Sequence, residues 1–289
     1  MPRHPVRLPG PVFLSLALYC ALLATPASRA DDSLPASHSK TAYLVIVMDD
    51  LGYNLQRAEQ ILDLPHPITF GVLPHAPHSA QISARAAGHG REVILHQPME
   101  PEIFSHARVE RGTLETGMTA EKFDSQLSAA LAQVPEAVGV NNHTGSRLTA
   151  HQASMDLLMP LIRTRGLFFL DSRTTPNTVA ENTARAWHVP TLRRDVFLDH
   201  VLTPEALTEE FARALAVAHR QGHAVVIAHP HPLTLNFLEQ HLQALPSGIA
   251  LTSLQALVDG IYGRAITPRD RATLARRENP GFPNRSLGQ

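Results

Sequence analysis

Seven short apolar runs recur along the chain, at residues 43–48, 68–73, 92–95, 137–140, 167–170, 196–198 and 224–228. Several are almost free of polar residues, which suits parallel strands covered on both faces. Longer amphipathic stretches separate them. Residues 54–64 carry Leu55, Ala58, Ile61 and Leu62 at helical spacing, and 79–87, 119–133 and 150–165 read the same way. Thr119 can cap the third of these helices, and Pro160 predicts a bend or a split in the fourth. A fifth helix spans 204–221, with Leu207, Phe211, Leu215 and Ala218 on one face and Gly222 as its stop.

Strand and helix in alternation predict an α/β domain with a mainly parallel sheet. Seven such units favour a closed or nearly closed barrel over an open doubly wound sheet. No G-x-G-x-x-G follows the first run, so a dinucleotide site has no support.

The chain start does not fit this rhythm. Arg3 and Arg7 precede an uncharged stretch from Val12 to Ala24, and Ala27-Ser28-Arg29-Ala30 places small residues at the −3 and −1 positions of a cleavage site. That is the pattern of a secretory signal peptide over residues 1–30, and the apolar run is too short for the ~20 residues that span a bilayer. The expected organisation is a leader (1–30), a polar linker (31–40), one barrel domain (41–263) and a loosely ordered, arginine-rich tail (264–289). Export across the inner membrane, to the periplasm, follows, with no integral membrane segment after cleavage. Cleavage also removes Cys20, the only cysteine, so the mature chain would enter an oxidising compartment without disulfide or thiol chemistry.

Composition narrows the function. Lys and Arg number 25 against 26 Asp and Glu, so nothing points to a nucleic-acid partner. Seventeen histidines stand out, and several follow the apolar runs directly. The first run ends in Asp49-Asp50 and the second in Pro74-His75. The third leads into His96-Gln97-Pro98-Met99-Glu100, and the fourth into Asn141-Asn142-His143-Thr144-Gly145-Ser146-Arg147. The last three give Asp171-Ser172-Arg173, Asp199-His200 and His229-Pro230-His231. In a parallel sheet the C-terminal strand ends share one rim, so these groups are expected to converge.

Histidines and carboxylates without cysteine suit a divalent metal with an open position, Zn²⁺ above all. Such a cation lowers the pKa of water to about 7 and polarises a carbonyl. Amide or ester hydrolysis further needs a base, an acid and donors for the oxyanion. The diverging side chains of Asp49 and Asp50 would let one carboxylate bind metal while the other addresses water.

These segments, in this order, resemble the polysaccharide deacetylases of the NodB homology type, and more closely the divergent polysaccharide deacetylase family. Residues 45–52, ending Asp49-Asp50-Leu51-Gly52, look like the opening Asp-Asp motif. Residues 90–96 look like the strand carrying the first histidine of H-x-x-x-H. Residues 139–147 and 167–172 look specific to the divergent branch, and Ile227-Ala228-His229 looks like the closing Leu-x-His.

The resemblance implies a distorted (β/α)₇ barrel, with Asp49 as base, Asp50 and His96 as metal ligands and His229 as general acid. The chain has Glu100 where the ordinary family has its second histidine. His143 is our expected replacement ligand, Glu100 the competing one, and Asn142, Arg147 and Asp171 are expected beside them. The substrate implied is an acetylated polysaccharide or peptidoglycan-like glycan of the cell envelope. Two other readings are an inactive barrel that binds glycan or a protein partner, and a metal phosphoesterase using Arg147, Arg173, Arg193 and Arg194 as phosphate clamps.

Overall fold

Ten residues, Ala42–Leu51, form the central strand β1, apolar on both faces up to Met48. The computed structural model describes residues 41–103 and 110–263, so the expected leader, linker and tail lie outside the described residues. After β1 come α1 (Leu55–Leu62), β2 (Thr69–Val72), α2 (Ser79–Gly88), β3 (Val93–Met99), α3 (Ala120–Gln133), β4 (Gly139–Thr144), α4 (Gln152–Thr164) and β5 (Phe168–Asp171). Then follow α5 (Ala180–Ala186), β6 (Thr191–Arg193), β7 (Val196–Phe197), α6 (Pro204–Gln221), β8 (His223–Ala228), α7 (Pro232–His241), β9 (Ile249–Leu251) and α8 (Leu254–Tyr262).

All the strand pairings are parallel, in the order β6-β5-β4-β3-β2-β1-β8-β7, with β9 added beside the start of β1. The sheet curls into a distorted barrel, as expected. Its seam is one segment of chain. β6 pairs with β5 and β7 with β8, and only Arg194 and Asp195 join them. The backbone N–H of Arg194 donates to Asp171 O at 2.9 Å, and that of Asp195 to Val225 O at 2.8 Å. The hydrogen bonds thus change partner strand between consecutive residues.

Strand alternation divides the core in two. Leu44, Ile46, Met48, Phe70, Leu95, Phe169 and Val226 face outward under the helices. Val45, Val47, Ile94, Phe168, Leu170, Val225 and Ile227 face inward, together with Leu254, Leu257 and Val258 of α8. Helix α8 therefore plugs the barrel. Its N-terminus is held by Glu92, just before β3, whose carboxylate accepts the N–H groups of Leu254 at 3.0 Å and Gln255 at 2.7 Å.

All five predicted helices form. Thr119 caps α3 and Gly222 ends α6 in the left-handed conformation, as read. Pro160 does not split its helix, which runs unbroken from Gln152 to Thr164. Met155, Leu158, Met159 and Ile162 are fully buried on both sides of it, and this anchorage outweighs one missing backbone hydrogen bond. The short elements β6, β9, α5, α7 and α8 were not legible as periodic stretches. Among the described residues no helix is long and apolar enough to cross a membrane.

Candidate metal centre

The same alternation that builds the inner core delivers the chemistry. Beyond Val47 the next inward position on β1 is Asp49; beyond Ile94 on β3 it is His96, and beyond Ile227 it is His229. On β4 the inward positions are Asn141 and His143. Asp50 should then point outward. Instead β1 carries one extra residue between Met48 and Leu51, opposite Phe70–Val72 of β2, and Asp50 takes φ 59°. This β-bulge re-aims its carboxylate into the barrel mouth. The two adjacent acids converge rather than diverge, which corrects the sequence expectation.

Asp50 Oδ1, His96 Nε2 and His143 Nδ1 form a triangle. Its sides are 3.1 Å from Asp50 to His96, 2.9 Å from Asp50 to His143 and 3.1 Å between the two imidazoles. Three ligands of a tetrahedral ion with bonds of about 2.1 Å stand about 3.4 Å apart. The donor set thus fits a divalent cation after an expansion of a few tenths of an ångström, and these three residues can hold one.

Asn141 sets the state of this triangle. Its Nδ2 donates to both oxygens of Asp49, at 3.1 and 2.9 Å, which turns its Oδ1 toward His96 Nδ1 at 2.8 Å. Because Oδ1 only accepts, His96 Nδ1 must carry the proton, and Nε2 is the atom free to ligate. Asp49 is 1% exposed, and burial raises its pKa. Its carboxylate fills space on β2 that only Gly71 leaves open, since a Cβ there would overlap Oδ1.

Asp50 is also partly desolvated, but hydrogen bonds from His143 and His96 hold it well below the usual carboxylate range. Burial alone would lower the pKa of His96. The charge of Asp49 and the hydrogen bond to Asp50 prevail, and it is pushed up to about 9. In the absence of a cation, a proton on His96 takes the cation's electrostatic place.

Across the mouth, His229 Nε2 lies 3.8 Å from Asp50 Oδ2. Its Nδ1 faces Asp199 Oδ1 at 2.9 Å, and Asp199 Oδ2 accepts from the His229 backbone N–H at 2.7 Å and from Thr234 Oγ1 at 2.9 Å. Burial works against protonation of His229, but Asp199 overrides it and raises the pKa. Asp49, Asp50, His96, His143 and His229 line one cavity of about 570 Å³, with Ser172, Arg173, Arg194, Phe197 and His200 among its other walls.

The other expected site residues, Glu100, Asn142, Arg147 and Asp171, lie outside the donor triangle, and of them only Asn142 borders the cavity. Glu100, the competing ligand, is outside the donor triangle. Its carboxylate accepts from Thr116 N and Oγ1, both at 2.6 Å, and meets Arg147 Nε at 3.3 Å. Glu100 comes four residues after His96, just beyond the end of β3, where the chain leaves the inward alternation. Arg147 is largely exposed and lines no part of the cavity.

Asn142 points away from its neighbours Asn141 and His143; its Oδ1 accepts from Ser172 N at 2.9 Å and its Nδ2 donates to Thr144 O at 2.7 Å. Asp171 accepts from Arg173 N at 2.8 Å and Thr178 Oγ1 at 2.9 Å. Asn142 and Asp171 brace loops at the rim. Sequence reasoning missed Asn141 and Asp199 as parts of the site. Period-two alternation with His143 marks the first, and its position at the end of the sixth apolar run marks the second.

Comparison with known proteins identifies relatives of the chain. Residues 46–258 match the family described as divergent polysaccharide deacetylase. The chain is 35% identical to the uncharacterized protein YibQ of Escherichia coli K12 over 237 residues, which cover 82% of this chain and 74% of YibQ. It is 36% identical over 211 residues to an uncharacterized protein of Haemophilus influenzae, covering 73% of this chain and 75% of that one. A crystal structure of an uncharacterized protein from Agrobacterium tumefaciens C58 superposes with a TM-score of 0.72 at 25% identity, covering 77% of this chain and 92% of that one. The chain belongs to the divergent polysaccharide deacetylase family.

Proposed function

We propose that the protein is an exported, metal-dependent hydrolase that removes acetyl groups from a cell-envelope glycan. The observation that carries this reading is the Asp50–His96–His143 triangle with a buried acid, Asp49, on one side and the Asp199–His229 pair on the other. Family membership supports a polysaccharide substrate, and the leader pattern at residues 1–30 supports export to the periplasm. The N, N, O donor set without thiolate suits Zn²⁺.

A divalent cation held by these three residues would polarise the acetyl carbonyl and acidify water beside it. Asp49, its pKa raised by burial, takes the proton from the attacking water as oxygen adds to the acetyl carbon. Asn141 keeps that carboxylate aimed and His96 in one tautomer. His229 donates Nδ1–H to Asp199, whose charge favours the imidazolium, so the ring carries a second proton at Nε2 and passes it to the leaving nitrogen or oxygen as the acyl bond breaks. Acetate and a free amine or hydroxyl result.

The test is metal content together with turnover of acetylated glucosamine oligomers, in the native chain and in Asp49→Ala. Stoichiometric zinc with turnover that falls at least 100-fold in the variant is expected. Equal turnover in the two would remove the base. An occupied site with no turnover on any acetyl ester or amide would mark a glycan- or protein-binding barrel instead.

A further inference from the structure

The donor triangle occupies only part of the cavity; Arg173, Arg194 and Arg213 line another part of it. Arg173 stands at φ 49°, a left-handed backbone that side chains disfavour. Asp171 stabilises that turn by accepting the Arg173 N–H at 2.8 Å. Among the described residues the Arg173 guanidinium has no hydrogen-bond or ion-pair partner.

Arg194 belongs to the barrel seam. Its Nε donates to Ser172 O at 2.6 Å and its Nη2 to Arg173 O at 2.8 Å, and its guanidinium lies 5.1 Å from the centre of the Phe197 ring. These contacts fix it without neutralising it. Burial and the nearby charges of Arg173 and Arg213 lower its pKa, and together they outweigh the opposing pull of the Asp171 and Glu210 carboxylates. Arg213 alone of the three has a carboxylate partner, Glu210. The other acids of the cavity, Asp49 and Asp50, are committed to the imidazoles and to Asn141.

Two guanidiniums without a direct ion pair, one of them anchored and both within the field of the Asp171 carboxylate, therefore border the space that an acetylated ligand must fill. Like charges so placed favour an arriving anion, and the guanidinium fork matches a carboxylate or phosphate. A volume of about 570 Å³ is in the range of ligand pockets and leaves room beyond an acetyl group. Building on the deacetylase reading above, we infer that the cavity selects acetylated glycans bearing an anionic group near the acetyl, with Arg173 and Arg194 as its partners.

The experiment measures kcat/KM on three substrates: neutral N-acetylglucosamine oligomers, glycan strands containing the carboxylate of N-acetylmuramic acid, and an acetylated oligomer bearing sugar phosphate. The native chain is compared with Arg173→Gln and Arg173→Lys. One acidic substrate should exceed the neutral one by about tenfold or more, and which one identifies the anion. That ratio should fall toward one in Arg173→Gln and at high salt, with partial recovery in Arg173→Lys, which keeps the charge without the fork. Equal kcat/KM on all three in the native chain overturns the inference and leaves the deacetylase reading standing.

If no substrate turns over, that reading fails, and binding decides the inference separately. Calorimetric titration with oligogalacturonate and with neutral chito-oligomers then supports it if only the acid binds, with about tenfold loss in Arg173→Gln. Indifference to charge overturns it.

Discussion

Asp49 and Gly71 share one volume: the Asp49 carboxylate on β1 lies where a β-carbon on β2 would be. Gly71→Ala should therefore displace the carboxylate from Asn141 while sparing the donor triangle. Turnover is expected to fall to the level of Asp49→Ala with metal content unchanged, and overpacking should destabilise the fold by about 1–3 kcal/mol. Kinetics, elemental analysis and thermal unfolding of the one variant check all three.

Metal affinity should separate Asn141 from Glu100. Asn141→Ala frees the His96 tautomer and is expected to weaken binding about 10–100-fold, a loss that titration against a chelator would measure. Glu100→Ala should keep native affinity, because its carboxylate serves Thr116 and Arg147. A lost metal in Glu100→Ala would restore it as a ligand.

Asp199→Asn leaves His229 in place but removes the charge that keeps Nδ1 protonated and the pKa raised. Turnover should drop about 10²–10⁴-fold, and the alkaline limb of the pH–rate profile should move to lower pH. Zinc content, which does not depend on Asp199, should stay the same.

In metal-free protein, stability should fall as pH rises from about 6.5 to about 9. His96 binds its proton more tightly folded than unfolded, so its stabilisation is complete below 6.5 and is lost as pH passes its raised value of about 9. His229 is raised too and acts in the same sense. Asp50, held low, withdraws its contribution only as pH drops below its ordinary 3.8, outside this window. Thermal unfolding of chelator-treated protein across that range should show the slope, and His96→Gln should flatten it.

Most of the fold was legible because short apolar runs recur between amphipathic helices. All seven appear as strands. β6 (Thr191–Arg193) and β9 (Ile249–Leu251) were missed because neither short strand stands out from its surroundings as an apolar run, and α8 reads as a short apolar stretch whose place inside the barrel only tertiary packing reveals. The rim chemistry was visible in the residues that follow the strands. Whether His143 or Glu100 completes the triangle was not, since that depends on where β3 stops alternating inward. Nor did the Asp49-Asp50 pair disclose its bulge, because a left-handed Asp50 leaves no mark in composition.

Helix α8 makes the barrel a blind well. With Leu254, Leu257 and Val258 filling one end, the cavity among the described residues opens at the other. On the proposed function, a polymer would not thread through such a vessel; it would lie across the opening and lower one substituent at a time. Trimming of pendant groups along a chain, with release by the route of entry, is the traffic this architecture permits.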